Sequence, residues 1–273
     1  MLLVGGAETA SCLGGNHSDT TIGEWIPLPR LVIATRYDER VAETPDYPFV
    51  YLTADVVAFA LRPEGLSVLV VKRGNPPYKG RFAFPGGFVD EGEDVERAAR
   101  RELAEETGVS SRRLELQQLG PYTAPKRDPR HRTVSVAFLA VLGPDVEPVA
   151  GDDAADATWQ PVAGLLGSRR LAFDHAQILD DALERLRSNL ERTTQATAFL
   201  GEEFTVAELR QVYEAVWGRD LDPGNFQRKV TSVAGFLADT GYQRVGGRGR
   251  PATLYTAGDA QELWPPMSRV RDR

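Results

Sequence analysis

The sequence predicts a mixed α/β domain followed by a smaller domain of two helices and a hairpin, and three observations carry that prediction. Two β-rich runs, Val56 to Leu61 and Leu66 to Val71, meet at Pro63, Glu64 and Gly65, a hairpin signal. A helical segment from about Val95 to Thr107 follows a tight Phe84-Pro85-Gly86-Gly87 turn and carries Glu102, Glu105 and Glu106. Beyond residue 193 the apolar spacing changes to two short amphipathic helices and a basic, Gly-rich hairpin.

The bulk properties agree with two domains. At 273 residues the chain is long enough for one large unit and one small one. A net charge of -7 argues against coating nucleic acid through bulk charge and leaves room for a local basic patch. Cys12 is the only cysteine, which excludes an internal disulfide and a thiolate zinc cluster and points to a reducing cytoplasm. The first 15 residues lack the basic start of an export signal, and no apolar run approaches the roughly 18 residues that span a bilayer, so no membrane role is expected.

Residues 1–46 show no clean period; partial disorder and packing on a partner are both open for them. A unit over 47–192 begins with the hairpin strands. The helix from Val95 stops at Gly108, a natural C-terminal glycine cap. Strands are expected at Leu114 to Leu119 and Val134 to Leu142, separated by a basic, proline-broken loop from Gly120 to Arg132 and followed by an acidic loop with Asp152, Asp153 and Asp156. A helix from His175 to Leu190, with Asp174 as N-cap, closes the unit. In the second unit, 193–258, Thr205 and Glu208 form a capping-box signature for a helix ending at Gly218. Asp222 and Pro223 open another, with Phe226, Val230, Val233 and Leu237 at helical spacing up to Gly241. A hairpin of Tyr242 to Val245 and Ala252 to Tyr255 follows, and 259–273 form a tail.

At about 100° per residue, Glu102, Glu105 and Glu106 share one arc with Val95, Ala98, Ala99 and Leu103, while Glu96, Arg97 and Arg100 face the other way. Acids directed inward beside apolar residues are desolvated and mutually repelling, a cost that a divalent cation removes. Arg101 is placed to pair with Glu105 at i+4. Gly87, five residues, Glu93, seven residues, then Arg101, Glu102, Leu103, Ala104, Glu105, Glu106, Thr107, Gly108 and Val109 reproduce the Nudix box at every specified position. This resemblance implies a Nudix α/β/α sandwich, Mg2+ or Mn2+ as cofactor, and binding or hydrolysis of a nucleoside diphosphate derivative. By motif position it implies Glu105 and Glu106 as metal ligands with the Gly86 carbonyl, and Glu102 as a further ligand or the general base; Arg101 completes the catalytic set. For Asp152, Asp153 and Asp156, a downstream base and a solvated turn both stay open. Pro125, sixteen positions after the box, resembles the ADP-ribose pyrophosphatase branch. Gly87, Arg81, Pro125, Lys126 and Arg127 are the candidate ligand contacts, and the cations of that loop suit phosphate, ribose, DNA or plain solvation.

The second unit resembles a winged helix-turn-helix. Between Asn225 and Tyr255 its bases Arg228, Lys229, Arg244, Arg248 and Arg250 face a single acid, Asp239. Asn225, Arg228, Lys229 and Ser232 lie opposite the apolar stripe of the second helix, fitting a major groove, and Arg248 and Arg250 at the wing tip suit a minor groove or phosphates. A Nudix domain followed by this module is similar to the Nudix-related transcriptional regulators of NAD metabolism. That resemblance implies a cytoplasmic homodimeric repressor that binds double-stranded operator DNA and senses ADP-ribose or a related nucleotide. Many such regulators have a degraded box, whereas this chain keeps every position, so an ADP-ribose pyrophosphatase with an accessory C-terminal domain is the enzyme alternative. A protein-binding winged helix is a third reading, opposed by the basic wing.

Overall fold

The computed structural model of the chain describes residues 48–110, 114–149, 156–245 and 251–269. The N-terminal segment considered above lies outside the described residues.

Strands β1 (Tyr51–Arg62) and β2 (Gly65–Lys72) form the expected hairpin, with Arg62 opposite Gly65. Short strands β3 (Phe82–Ala83) and β4 (Gly86–Phe88) pair antiparallel with β2 and β1. Helix α1 spans Val95–Thr107 with Asp94 as N-cap and Gly108 in the left-handed conformation that ends it. Strand β5 covers Gln117–Tyr122, later than expected, because Leu114 is consumed in the core on the α1 side and its carbonyl accepts from Arg100. Strand β6 (Thr133–Val141) runs parallel to β1 and antiparallel to β5, and β7 (Ala157–Pro161), which the sequence pattern does not announce, pairs with β2.

The sheet is buried on both faces, and strand alternation sorts its side chains. Ala54, Val56, Ala58, Ala60, Phe138 and Ala140 pack with Ala98, Ala99 and Leu103 of α1. Val57, Phe59, Val68, Val70, Ala137 and Leu139 turn the other way, onto Ile178, Leu179, Ala182 and Leu186 of α2 (His175–Arg192). This is an α/β/α sandwich. Asp174 precedes α2, but its side chain makes no cap; it is occupied by an arginine described below.

The second unit opens with β8 (Phe204–Thr205) and α3 (Val206–Trp217), whose capping box between Thr205 and Glu208 forms in both directions. Helix α4 spans Pro223–Ser232 with Asp222 as N-cap and proline in its first turn. It does not reach Gly241. Thr231 and Ser232 turn their hydroxyls back onto main-chain carbonyls, Val233 is extended, and Gly235 takes a positive φ of 68°, so the chain reverses. Leu237, expected in the helical stripe, instead starts β9 (Leu237–Arg244), which pairs with β10 (Ala252–Ala257) as β8 does from the other side.

The apolar core of the α2 side runs without interruption into this second unit: Phe199, Phe204, Leu209, Tyr213, Phe226 and Val230 join the same cluster. Tyr213 donates its hydroxyl to the Leu190 carbonyl at 3.0 Å, and Arg187 Nε reaches the Val216 carbonyl at 3.0 Å. The residues after β10 then return to α2. Leu263 and Met267 are buried, and their amides bond the Arg192 and Glu191 carbonyls at 2.7 and 2.8 Å, groups that a helix end leaves without partners. Arg269 adds an ion pair to Glu184 at 2.6 Å.

Candidate nucleotide site and nucleic-acid interface

The turn before α1 is held on three sides. Gly86 and Gly87 sit opposite Asp55 and Ala54 of β1, the Val56 amide bonds the Pro85 carbonyl at 2.8 Å, and the Phe84 amide bonds His175 Nδ1 at 3.0 Å. Facing backbone requires glycine at 86, and at 87 a side chain would displace the Glu102 carboxylate. A Cβ on Gly86 would meet the Ala54 carbonyl and lie 2.7 Å from Asp55 Oδ1, and one on Gly87 would lie 2.7 Å from Glu102 Oε2.

The helix carboxylates therefore close onto the turn, but not all three alike. Glu106 accepts the Gly86 amide at 3.0 Å, and burial pushes its carboxyl up to about 7. Burial raises Glu102 as well, against the opposing pull of Arg101. Glu105 departs from the shared inward arc and is exposed, because Ala98, Ala99 and Leu103 occupy the buried arc. Arg101 gathers the cluster, bonding Glu93 at 2.9 Å, Glu102 at 2.8 Å, Glu105 at 3.2 Å and the Phe88 carbonyl at 3.0 Å. Among the described residues no three acidic or imidazole groups converge on a single point. The donors nevertheless fit a hard divalent cation, since two desolvated carboxylates raised by burial recover solvation from such an ion.

Behind the turn lies a polar cluster that the sequence pattern does not reveal. Asp55 is nearly buried; it accepts from the Ser135 hydroxyl and faces Arg127 Nη2 at 3.6 Å and His175 Nε2 at 3.7 Å. Arg127 is also buried and grips Asp174 with two bonds, 2.9 and 2.8 Å. The sequence places Arg127 among ligand contacts, and its guanidinium is here committed within the protein. Burial holds His175 below the ordinary imidazole range. Its Nδ1 accepts the Phe84 amide and its ring stacks on Phe84 with centroids 4.9 Å apart. Polar Asp55 and Ser135 inside otherwise apolar strands are the available signal for this cluster; nothing local marks His175.

Two cavities share a wall here. One, about 160 Å3, adjoins Gly86 and Gly87 and is lined by Asp55, Arg73, Arg130 and His175. The other, about 500 Å3, is bounded by Tyr78, Pro125, Lys126 and Asp174, and Phe173 and Arg127 belong to both. Arg73 spans the first cavity: Nε bonds the Pro77 carbonyl at 2.9 Å and the guanidinium lies 4.7 Å from the Phe173 ring centre. Burial, and after it the neighbouring Arg130, lowers its affinity for protons, while Asp128, Glu106 and Asp55 pull the other way. Of the other loop cations, Arg130 pairs with Asp128 at 2.7 Å, Arg132 bonds the Thr123 carbonyl at 2.8 Å, and Arg81 lies over the Tyr78 ring.

On the second unit, Asn225, Arg228 and Ser232 of α4 are exposed and Lys229 partly so, while Phe226 and Val230 face the core. Arg228 bonds Asn225, and Arg244 is drawn to Glu208 at 2.6 Å, which ties the hairpin to the start of α3. Arg248 and Arg250 lie outside the described residues, as do Asp152 and Asp153; the Asp156 carbonyl accepts the Lys72 amide. No helix among the described residues is long and apolar enough to cross a membrane.

Comparison with known proteins gives both halves a family. Residues 52–182 match the NUDIX domain, and 196–257 match the NrtR DNA-binding winged helix domain. The ADPR responsive transcriptional repressor NtrR of Acinetobacter baylyi is 32% identical over 212 residues, covering 77% of this chain and 83% of the relative. The chain belongs to the NrtR family of Nudix-domain repressors. Shewanella oneidensis NrtR in complex with a 27mer DNA superposes with a TM-score of 0.69 at 34% identity, over 80% of this chain and 99% of that one. The ADP-ribose pyrophosphatase of Methanocaldococcus jannaschii is 40% identical over 149 residues, 54% of this chain and 84% of that enzyme. NUDIX hydrolases generally use divalent metal ions, in keeping with the carboxylates of this NrtR-family chain.

Proposed function

We propose that this chain is a homodimeric cytoplasmic repressor that binds double-stranded operator DNA through α4 and the wing, and releases it when ADP-ribose or a related nucleotide enters the Nudix cavities. The observation that supports this most directly is α2. Its first residue, His175, touches both the box turn and Asp55, and its last turns are packed against α3. A nucleotide that prefers one arrangement of this helix changes DNA affinity through it. Glu102, Glu105 and Glu106, with the Gly86 carbonyl, are the residues that would hold Mg2+ or Mn2+. When bound, the ion supplies charge neutralisation at the diphosphate. Arg73 and Arg130 orient phosphate oxygens, Arg101 fixes the carboxylates, and the Phe84–His175 stack holds the turn in place.

The test is a gel shift on DNA flanking the chain's own gene, with and without ADP-ribose. Coupling of about 1 to 3 kcal/mol weakens DNA binding by roughly 5- to 150-fold at saturating ligand, and DNA must weaken ligand binding by the same factor. Equal ligand affinity with and without DNA would refute the regulatory reading.

The complete box and the likeness to an ADP-ribose pyrophosphatase favour a second activity, Mg2+-dependent cleavage of ADP-ribose to AMP and ribose 5-phosphate. Glu106→Gln is expected to abolish metal-dependent turnover, because a neutral amide brings no anionic ligand to a hard cation. Undiminished turnover in that variant would remove Glu106 from the metal site.

A further inference from the structure

Helix α2 begins at a contact whose two sides belong to different parts of the Nudix unit. Arg127 lies in the loop between β5 and β6 with its side chain only 4% exposed, and its guanidinium forks onto both oxygens of Asp174, Nε to Oδ2 at 2.9 Å and Nη2 to Oδ1 at 2.8 Å. Asp174 is the residue placed to cap α2. Its carboxylate accepts no bond from the first turn, however, and its backbone, φ -96° and ψ 18°, is outside the extended conformation of an N-cap. Phe173 before it stands at φ 51°, a costly conformation for an aromatic residue. The ion pair therefore holds the start of α2 in an arrangement that the local backbone does not favour.

The same guanidinium has a second acceptor beside it. Asp55 Oδ2 lies 3.6 Å from Nη2, and Asp55 belongs to the sheet rather than to the helix. Arg127 also borders the smaller cavity, where Arg73, Arg130 and the box glycines meet. Two phosphate oxygens offer a guanidinium the same two-point acceptor as a carboxylate. An anion in that cavity, together with Asp55, can thus replace Asp174 without leaving the arginine charge buried and unpaired, and this is what allows two discrete arrangements. The other tie at this end of α2, the Phe84 amide to His175 Nδ1 at 3.0 Å, is a neutral bond with no cation for an anion to capture.

We propose that the Arg127–Asp174 pair is the latch through which nucleotide binding reaches the DNA-binding half. It is closed in the DNA-competent arrangement. It opens when an anionic ligand draws Arg127 toward Asp55 and the cavity, which frees Asp174 to cap the first turn and frees α2 to shift against the sheet. Asp174 is in this sense a positioning residue, acting on DNA through a helix whose far end takes the Tyr213 hydroxyl on the Leu190 carbonyl. The inference rests on the reading that a nucleotide releases DNA, and it names the contact that carries the release.

Asp174→Asn keeps the size of the side chain and its capacity to cap, and removes the charge that holds Arg127. Gel shifts on DNA flanking the chain's own gene, with and without ADP-ribose, give DNA affinity for parent and variant; isothermal titration with Ca2+ in place of Mg2+ gives ADP-ribose affinity without DNA. An open latch shifts the free protein toward the released arrangement. The variant is therefore expected to bind DNA more weakly without ligand, to bind ADP-ribose more tightly, and to show a ligand effect on DNA well below the roughly 5- to 150-fold expected of the parent. A merely structural lesion weakens both partners; that outcome, or affinities equal to the parent's, overturns the proposal. Asp174→Glu, which keeps the charge, should retain the parent's ligand effect, and its loss there would also overturn the latch. Melting temperatures report folding, and if the asparagine variant does not fold, Arg127→Lys decides: a single-point donor should weaken DNA binding without ligand, and unchanged DNA affinity overturns the proposal. A parent whose DNA binding ignores ADP-ribose overturns the regulatory reading itself, whereas a responsive parent with an unaltered Asp174→Asn variant overturns the latch alone.

Discussion

His175 is one of three histidines in the chain, and it stands where three elements meet: its Nδ1 takes the Phe84 amide, its Nε2 faces Asp55, and its backbone begins α2. Because Nδ1 accepts, the neutral ring carries its proton on Nε2, toward the carboxylate. Burial depresses the folded pKa below the ordinary imidazole value of 6.5, so below that pH the unfolded chain binds the extra proton and the folded one resists it. Stability from this group is complete above about pH 6.5 and is lost as pH falls below it. Urea unfolding between pH 7 and 5 should show parent stability falling more steeply than that of His175→Asn, which keeps an acceptor but no titrating ring; parallel curves would exclude the assignment. Residues such as this one are invisible in the sequence, because 80 positions separate Asp55 from Ser135 and only the parallel β1–β6 register unites them. Glu102 and Glu106 are legible because helical spacing is local. The exposure of Glu105 is not, since the arc argument gives direction and not the depth to which neighbouring alanines sink the helix.

Among the elements, α1, α2 and α3 end close to where caps and glycines put them, while α4 is shorter than its apolar spacing suggests. Phe226, Val230, Val233 and Leu237 satisfy a helical period, yet Val233 is buried after the helix has stopped and Leu237 opens a strand. Period alone cannot distinguish one continuing helix from a helix followed by a strand in register with it. Shortening α4 leaves Asn225, Arg228, Lys229 and Ser232 within its ten residues, on a helix whose Phe226 packs edge to face on Tyr213. The Arg228→Ala, Lys229→Ala double variant is expected to bind operator DNA more weakly and to lower the slope of log affinity against log salt by about 2, near one for each phosphate that the variant no longer neutralises. Retention of the full salt slope would place α4 away from the DNA backbone.

At the scale of the molecule, the net charge of -7 and the basic exposed face of α4 coexist because acids are concentrated elsewhere, notably Asp90, Glu91, Glu93 and Asp94 in the run that leads into the box helix. The two family matches divide the chain at 182 and 196, yet one apolar cluster crosses that gap and the segment after β10 returns to the end of α2. That return has an implication for how such regulators can be recombined. A winged helix lifted out at 196 to 257 would leave behind Leu190, whose carbonyl receives Tyr213, and would discard Leu263 and Met267, which close the same core. No cut along α2 is therefore clean: one placed after it opens the seam with α3, and one placed before it strips the sheet of its second helical layer and the box turn of His175, so the sensing and DNA-reading halves are inherited as one piece.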